Sequence, residues 1–133
     1  MGSWDQRYTG KTMEEITFAI KDGVDVNGTS IEMLSAWPIV ALAYKALECS
    51  CVLTSGFDGE HMEGSYHYSG DANDFRIWGL EEIVDDLARI VTEELNKNLE
   101  HGAYYDVVVS RRKDGSPTNL HVEFDRRHYE AQK

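Results

Sequence analysis

Two segments of the chain contain residue types that bind a divalent metal ion. The first, Ser65–Asp74, contains His67 and Asp74, a neutral nitrogen donor and an anionic oxygen donor. Gly70 lies between them and allows a chain reversal that would bring the two side chains together. The second segment lies near the end of the chain and contains His121, which could supply a third ligand from a distant strand.

Two histidines and one carboxylate suit a catalytic zinc site better than a structural one. Zn²⁺ takes four ligands, so three protein ligands leave the fourth place for water. Water bound there ionises near about pH 7 and becomes a nucleophile, while the metal polarises a carbonyl. The residue types therefore predict a zinc cofactor and metal-assisted hydrolysis.

The spacing of these residues resembles the signature of a known group of zinc peptidases. Residues 65–74 follow the pattern Ser-x-His-x-x-Gly-x-Ala-x-Asp. This pattern is similar to that of zinc D-Ala-D-Ala carboxypeptidases and phage L-alanyl-D-glutamate endolysins, in the superfamily that includes the Hedgehog signalling domain. Val52–Phe57 resembles the strand and Ser-Gly-aromatic turn that precede the motif, and Leu120–Glu123 resembles the strand with the last ligand. The likeness extends over roughly Ile31–Phe124.

This resemblance implies a site, a substrate and a fold. It makes His67, Asp74 and His121 the zinc ligands, and Ser65 a motif residue that hydrogen-bonds either its own turn or a metal ligand. The implied substrate is a peptidoglycan stem peptide, cleaved as by a D-Ala-D-Ala carboxypeptidase or an L-Ala–D-Glu endopeptidase. The implied fold is Hedgehog/DD-peptidase-like. The superfamily also allows a second function, a zinc-binding recognition module with weak or no turnover.

The general base is left open by the sequence. Peptidases of this family usually carry an acid three residues before the last histidine, but here that position is Thr118, and residues 115–120 contain no carboxylate. Glu123 shares a strand face with His121, so it is either the base or a carboxylate that orients this histidine. Asp114 is the alternative base, although its place beside a glycine also suits a turn residue. The missing acid favours the recognition-module hypothesis.

The residue that would hold the substrate is a second departure from the family. Its members usually have an arginine after the Ser-Gly-aromatic turn, where this chain has Asp58. Arg76, two residues beyond Asp74, could contact a substrate carboxylate or the oxyanion through its guanidinium. An ordinary salt bridge to one of the many acids is the other interpretation.

Hydrophobic periodicity predicts the elements that must position these residues. A helix is predicted from Ile31, with Ser30 as its N-cap and a start or a kink at Pro38, and a second helix over Leu80–Leu99. Residues 1–29 are predicted to be an irregular lead-in. Four strands are predicted: Cys51–Thr54, Ala72–Ile77, Tyr105–Val109 and Leu120–Phe124. The predicted fold is α+β, a small antiparallel sheet covered by helices.

Aromatic and histidine residues outside the motif receive structural interpretations. Aromatic residues in periodic segments are predicted to lie in the core: Trp37, Phe75 and Trp78. The remaining histidines are predicted to lie at the surface: His61, His101 and His128. The two cysteines lie one residue apart on a predicted strand, so they point to opposite faces and are predicted to be reduced.

Length and charge bound the class of protein. The 133 residues are 41% hydrophobic and 28% charged, enough for a single domain over residues 1–133 without disulfides. The net charge of −11 argues against nucleic acid and anionic membranes as partners, because both bind basic surfaces. No apolar run reaches the roughly 18 residues of a membrane span, and no signal-peptide pattern is present. We therefore expect a soluble protein, cytoplasmic or associated with a phage particle.

Overall fold

One five-stranded sheet organises the protein in a computed structural model that describes residues 17–56, 66–98 and 100–132, except the side chain of Tyr68. The strands are β1 (Phe18–Ile20), β2 (Cys51–Ser55), β3 (Ala72–Phe75), β4 (Tyr105–Arg111) and β5 (Pro117–Phe124). Their order across the sheet is β1-β2-β3-β5-β4. The α-helices of the described ranges are α1 (Ile31–Ala46), α2 (Val84–Asn96) and α3 (Arg126–Ala131). The architecture is therefore α+β, as predicted.

The sheet is mixed: the predicted antiparallel pairing holds for four of its five strands, and one strand pair is parallel. The pairs β2–β3, β3–β5 and β4–β5 are antiparallel, but β1 runs parallel to β2. Strand β1 lies within the lead-in that was predicted to be irregular. Its three residues are too few to show an alternating pattern, and backbone hydrogen bonds with β2 order them: the amide of Cys51 donates to Thr17 and that of Lys21 to Leu53. Residues 1–16 of the lead-in lie outside the described ranges.

Helix α1 runs through Pro38 rather than starting there. The Ser30 side chain accepts a hydrogen bond from the amide of Met33, which confirms the predicted N-cap. Proline has no amide to donate within the helix, so packing must support this turn. That packing comes from the buried face of α1: Met33, Ala36, Val40, Ala41, Ala43 and Tyr44.

Helix α2 is shorter than the predicted span Leu80–Leu99. It begins at Val84, after a 3₁₀ turn over Glu81–Ile83, and ends at Asn96. Its buried stripe consists of Val84, Leu87, Val91 and Leu95. None of the helices that the structure describes is long and apolar enough to cross a bilayer.

One face of the sheet packs against helices, and the other carries two of the candidate metal ligands. Helices α1 and α2 pack against each other and against one face. Side chains alternate along β3 and β5, so Phe75, Leu120 and Val122 enter that core and are fully buried. Asp74 and His121, which are directly opposite each other in the β3–β5 ladder, point to the other face. We call this opposite face the site face.

Trp78 does not lie in the core, contrary to the prediction. Its side chain is 70% exposed, in a turn after β3, whereas Phe75 is buried. Strand β3 ends at Phe75, so the alternation that buries Phe75 does not extend to Trp78. Trp37 is partly buried and packs on the core, with its ring stacked on Phe18 at a centroid distance of 5.3 Å.

His101 is more enclosed than a surface histidine. Its side chain is only 12% exposed, and its ring packs edge-on against Phe124 and Tyr129 at centroid distances of 5.7 Å. The prediction missed this because Tyr129 belongs to α3, a helix that forms from a polar tail. His128 is exposed as predicted, and His61 lies outside the described ranges.

Candidate metal centre

Three side chains of the types that bind metal come together on the site face. One ligand atom from each of His67, Asp74 and His121 lies within 4.8 Å of the others. Oδ1 of Asp74 is 2.9 Å from Nδ1 of His121, and Oδ2 is 3.4 Å from Nε2 of His67. In a tetrahedral zinc site with bonds of about 2.0–2.1 Å, neighbouring ligand atoms are about 3.3 Å apart. The group therefore has the donors and the spacing to hold a metal ion.

His67 reaches the cluster from a 3₁₀ turn over Tyr66–Ser69. Its side chain is almost fully buried, and Nδ1 is 2.9 Å from the carbonyl oxygen of Gly56. Because a carbonyl only accepts, Nδ1 carries the proton and donates. Nε2, on the other side of the ring, faces Asp74. This hydrogen bond therefore keeps a proton on Nδ1, so Nε2 is the nitrogen that can bind a metal once it carries no proton.

His121 is held between two carboxylates. Nδ1 is 2.9 Å from Oδ1 of Asp74, and Nε2 is 2.8 Å from Oε1 of Glu123. Residues two apart on a strand share a face, which brings Glu123 to the ring of His121. Nδ1 is thus the nitrogen that faces the cluster, and Glu123 holds the opposite side of the ring.

The carboxylate and imidazole of the cross-strand pair have shifted pKa values. Burial would raise the pKa of Asp74, but hydrogen bonds with His121 and His67 outweigh burial and lower it to about 2. Burial would likewise lower the pKa of His121, but hydrogen bonds with Asp74 and Glu123 raise it to about 9. Without metal at neutral pH, His121 is therefore an imidazolium between carboxylates.

We expect zinc affinity to rise with pH towards about 9. A metal ligand must lose its proton, and His121 keeps one below its pKa of about 9, whereas Asp74, with a pKa of about 2, is already ionised. Between about pH 6 and 8, each pH unit should strengthen binding about tenfold, with about one proton released. Calorimetric titration with chelator-buffered zinc, in buffers of different ionisation enthalpy, measures both quantities.

The metal-free protein should show the opposite pH dependence of stability. The folded-state pKa of His121 is raised from 6.5 to about 9, so its contribution to folding is complete below about pH 6.5 and is lost as pH rises through about 9. The denaturation midpoint should therefore fall over this range without zinc and not with zinc. Identical pH profiles for the two forms would contradict the assignment of His121 as a ligand.

An ion-pair network holds the turn that carries His67. Asp71, whose side chain is fully buried, accepts hydrogen bonds from Arg126 at 2.9 and 3.0 Å. Arg126 also pairs with Glu32 of α1. The backbone of Asp71 bonds to Tyr66 and to Phe124, both at 2.8 Å. Sequence reasoning missed this network because a lone aspartate in the motif does not indicate an arginine 55 positions later as its partner.

Gly70 fits a backbone position that only glycine takes without strain. Its φ is +78°, and an added Cβ would collide with the carbonyl oxygen of Gly28. Its own carbonyl accepts a hydrogen bond of 3.0 Å from the amide of Ser30, the N-cap of α1. The chain reversal expected at Gly70 is therefore packed directly against the start of α1.

The other predicted site residues are distributed around the cluster. Ser65 lies outside the described ranges. Asp114 lies in the exposed β4–β5 hairpin loop, where its carboxylate accepts hydrogen bonds from the amide and hydroxyl of Ser116 at 2.9 and 2.6 Å. These bonds hold the pKa of Asp114 below its usual value, and they are those of a turn residue. The structure therefore does not bring Asp114 to the metal ligands.

Asp106 is a carboxylate of the site face that sequence reasoning missed. It is directly opposite Glu123 in the β4–β5 ladder. Burial raises its pKa, and the charges of Glu123 and Asp125 raise it further. The alternation of side chains along β4 could have indicated the face on which Asp106 lies. Only the β4–β5 register shows that Asp106 is opposite Glu123.

Comparison with known proteins adds no second line of evidence. No family model matches the chain, and neither the curated proteins nor the solved structures give a significant match. The metal-binding interpretation therefore rests on the geometry of His67, Asp74 and His121, and the peptidase interpretation rests on the pattern of residues 65–74.

Proposed function

We propose that the protein is a zinc-dependent peptidase that hydrolyses peptidoglycan stem peptides, of the D-Ala-D-Ala carboxypeptidase or L-Ala–D-Glu endopeptidase type. The observation that carries this proposal is the convergence of His67, Asp74 and His121. Two imidazoles and a carboxylate are donors that catalytic zinc takes, and they leave one coordination position for water or substrate. The likeness of residues 65–74 to the peptidase signature supports the substrate class.

The protein's own residues would fix the metal ligands before the metal arrives. The carbonyl of Gly56 holds the ring of His67, and the carboxylate of Glu123 holds the ring of His121. Such contacts set the tautomer and orientation of ligating imidazoles. Zinc held by these ligands would act as a Lewis acid on the scissile carbonyl and would lower the pKa of a bound water.

Glu123 orients a ligand in this proposal and is not the general base. Its Oε1 contacts Nε2 of His121, on the side of the ring away from Asp74. A carboxylate in this position increases the basicity of the ligating nitrogen and restricts rotation of the ring. Its proximity to His121, predicted from strand alternation, suits this role.

A zinc-binding recognition module is the second candidate function. It is favoured by two observations: residues 115–120 contain no carboxylate, and the carboxylate of Glu123 is engaged by His121. A site of this kind would bind zinc and a peptide with little turnover. It differs from the first candidate in activity and not in metal content.

Metal analysis and peptide cleavage on one preparation test the proposal. Protein stripped with EDTA and reloaded with zinc is incubated with stem peptides that end in D-Ala-D-Ala or contain the L-Ala–D-Glu bond. Mass spectrometry identifies the products. One bound zinc with zinc-restored cleavage supports the peptidase. One bound zinc without cleavage supports the recognition module, and a protein that binds no zinc contradicts both.

We expect Glu123→Gln to weaken zinc binding by about 10- to 100-fold. The glutamine oxygen can still accept a hydrogen bond from Nε2 of His121, but the negative charge that supports this ligand is lost. At saturating zinc, kcat should stay within a few-fold of the wild-type value. Zinc affinity and kcat are measured on the same samples.

If Glu123 were the general base, Glu123→Gln would give a different result. The substitution would lower kcat by about 10²- to 10⁴-fold at full zinc occupancy, and that result would refute the orienting role. Glu93→Gln is the matched control, because Glu93 is an exposed residue of α2 that pairs with Arg89. This control should leave zinc affinity and kcat unchanged.

A further inference from the structure

The site face continues beyond the metal ligands along the chain that follows Asp74. Phe75 and Ile77 are buried, so Arg76 between them points to the outer side with Asp74, and Trp78 is exposed in the turn that follows. Two residues of extended chain span about 7 Å. The side chain of Arg76 therefore starts about 7 Å along the sheet from that of a metal ligand.

The guanidinium of Arg76 lies against an exposed tryptophan. Its central carbon is 3.8 Å from the centroid of the Trp78 ring, and Trp78 is 70% exposed. Stacking uses the flat face of the guanidinium and leaves its in-plane N–H donors available. Within the described ranges Arg76 forms no ion pair, although the chain has 24 acidic and 13 basic residues. The ordinary salt bridge considered for Arg76 is therefore not found there.

This cation belongs to an acidic protein, whose acids on the site face lie on the other side of Asp74 from it, because Glu123 is opposite Ala72. The protein has a net charge of −11, and Glu123 and Asp106 lie on the same face as the metal ligands. Such a surface disfavours an approaching carboxylate unless a cation receives it. A planar guanidinium is the side chain best suited to bind a carboxylate through two parallel hydrogen bonds.

We propose that Arg76, held in place by Trp78, binds a carboxylate one or two residues from the scissile bond and so makes the site selective for acidic peptides. This inference rests on the proposed function, which places the scissile bond at the metal ligands. A residue of extended peptide spans about 3.3–3.6 Å, so the 7 Å offset corresponds to about one or two residues. Either the carboxyl terminus of the peptide or an acidic side chain can supply this carboxylate.

Matched peptide pairs test the inference on zinc-loaded protein. One kind of pair has a free or an amidated carboxyl terminus one or two residues beyond the scissile bond, and the other kind has Glu or Gln at those positions with an amidated terminus. Wild type should prefer an acidic member by about 10- to 100-fold in kcat/KM. The pair that shows the preference identifies the source of the carboxylate.

Variants of the stacked pair show whether Arg76 is responsible. Arg76→Gln should abolish the preference and leave zinc content unchanged. Arg76→Lys should retain only part of it because lysine lacks the planar fork, and Trp78→Ala should reduce it. Arg89→Gln removes the same charge from α2, on the other side of the sheet, and should keep the full preference. An equal loss on acid and amide in Arg76→Gln, or no loss, would overturn the inference.

A binding measurement separates this inference from the proposed function. If no peptide is cleaved, the peptidase proposal fails, and the same pairs are titrated into zinc-loaded protein by NMR. Tighter binding of an acidic peptide that Arg76→Gln abolishes would support the specificity role of Arg76. Equal binding of acid and amide by the wild-type protein would overturn it.

Discussion

Replacing His121 by alanine should lower zinc affinity by about 10²- to 10³-fold or more and remove zinc-dependent peptide cleavage. The substitution deletes one of three converging donors, and the remaining His67 and Asp74 cannot complete a catalytic zinc site. Structural zinc sites contribute about 10–16 kcal/mol from four ligands, so each ligand supplies about 2.5–4 kcal/mol. His67→Ala should have a similar effect. Competition with a chromophoric chelator measures the affinity.

The control for this prediction is His128→Ala. His128 is an exposed histidine of α3 and is not among the three converging side chains. Its loss should leave zinc binding unchanged, and circular dichroism should show that both variants are folded. Wild-type zinc affinity in folded His121→Ala would eliminate the proposed metal site.

Gly70→Ala should lower the free energy of unfolding by about 2–5 kcal/mol. An alanine at a φ of +78° costs backbone strain, and its Cβ would collide with the carbonyl oxygen of Gly28. Neither backbone can move freely, because the carbonyl of Gly70 bonds to the amide of Ser30 at the start of α1. Chemical denaturation measures the loss, and zinc titration should show that the turn carrying His67 is perturbed.

Gly79→Ala is a closely matched control for this effect. Its φ of +79° is nearly the same, but an added Cβ would have no neighbour within 4 Å. It should cost only the backbone strain, about 1–2 kcal/mol. The difference between the two variants measures the collision at Gly70, and equal destabilisation would contradict this account of Gly70.

Local patterns predict the parts of the structure that depend on local periodicity. Ser30 caps α1 as predicted, and the apolar stripe of α2 is buried. The alternation of β5 correctly places Glu123 on the same face as His121, where the two side chains are in contact. These features follow from helix and strand geometry, so the residue pattern of a short segment is enough to predict them.

Features that depend on distant partners were missed or misjudged. Strand β1 is ordered by hydrogen bonds to β2, and the enclosure of His101 depends on Tyr129 of α3. Trp78 was expected in the core because a large aromatic side chain near a strand is usually buried. Its ring instead lies at the surface, in the turn after β3, against the guanidinium of Arg76.

The amino-acid sequence by itself determined which donor atoms are available, the glycine that lets the chain reverse between His67 and Asp74, and the strand face that His121 occupies. Only the tertiary structure decided that these donors meet, because β3 and β5 are adjacent and their register puts Asp74 opposite His121. It also decided that Glu123 faces the far nitrogen of that imidazole. Side-chain direction follows from backbone geometry over a few residues, whereas strand order and register come from packing between segments that are far apart in the chain.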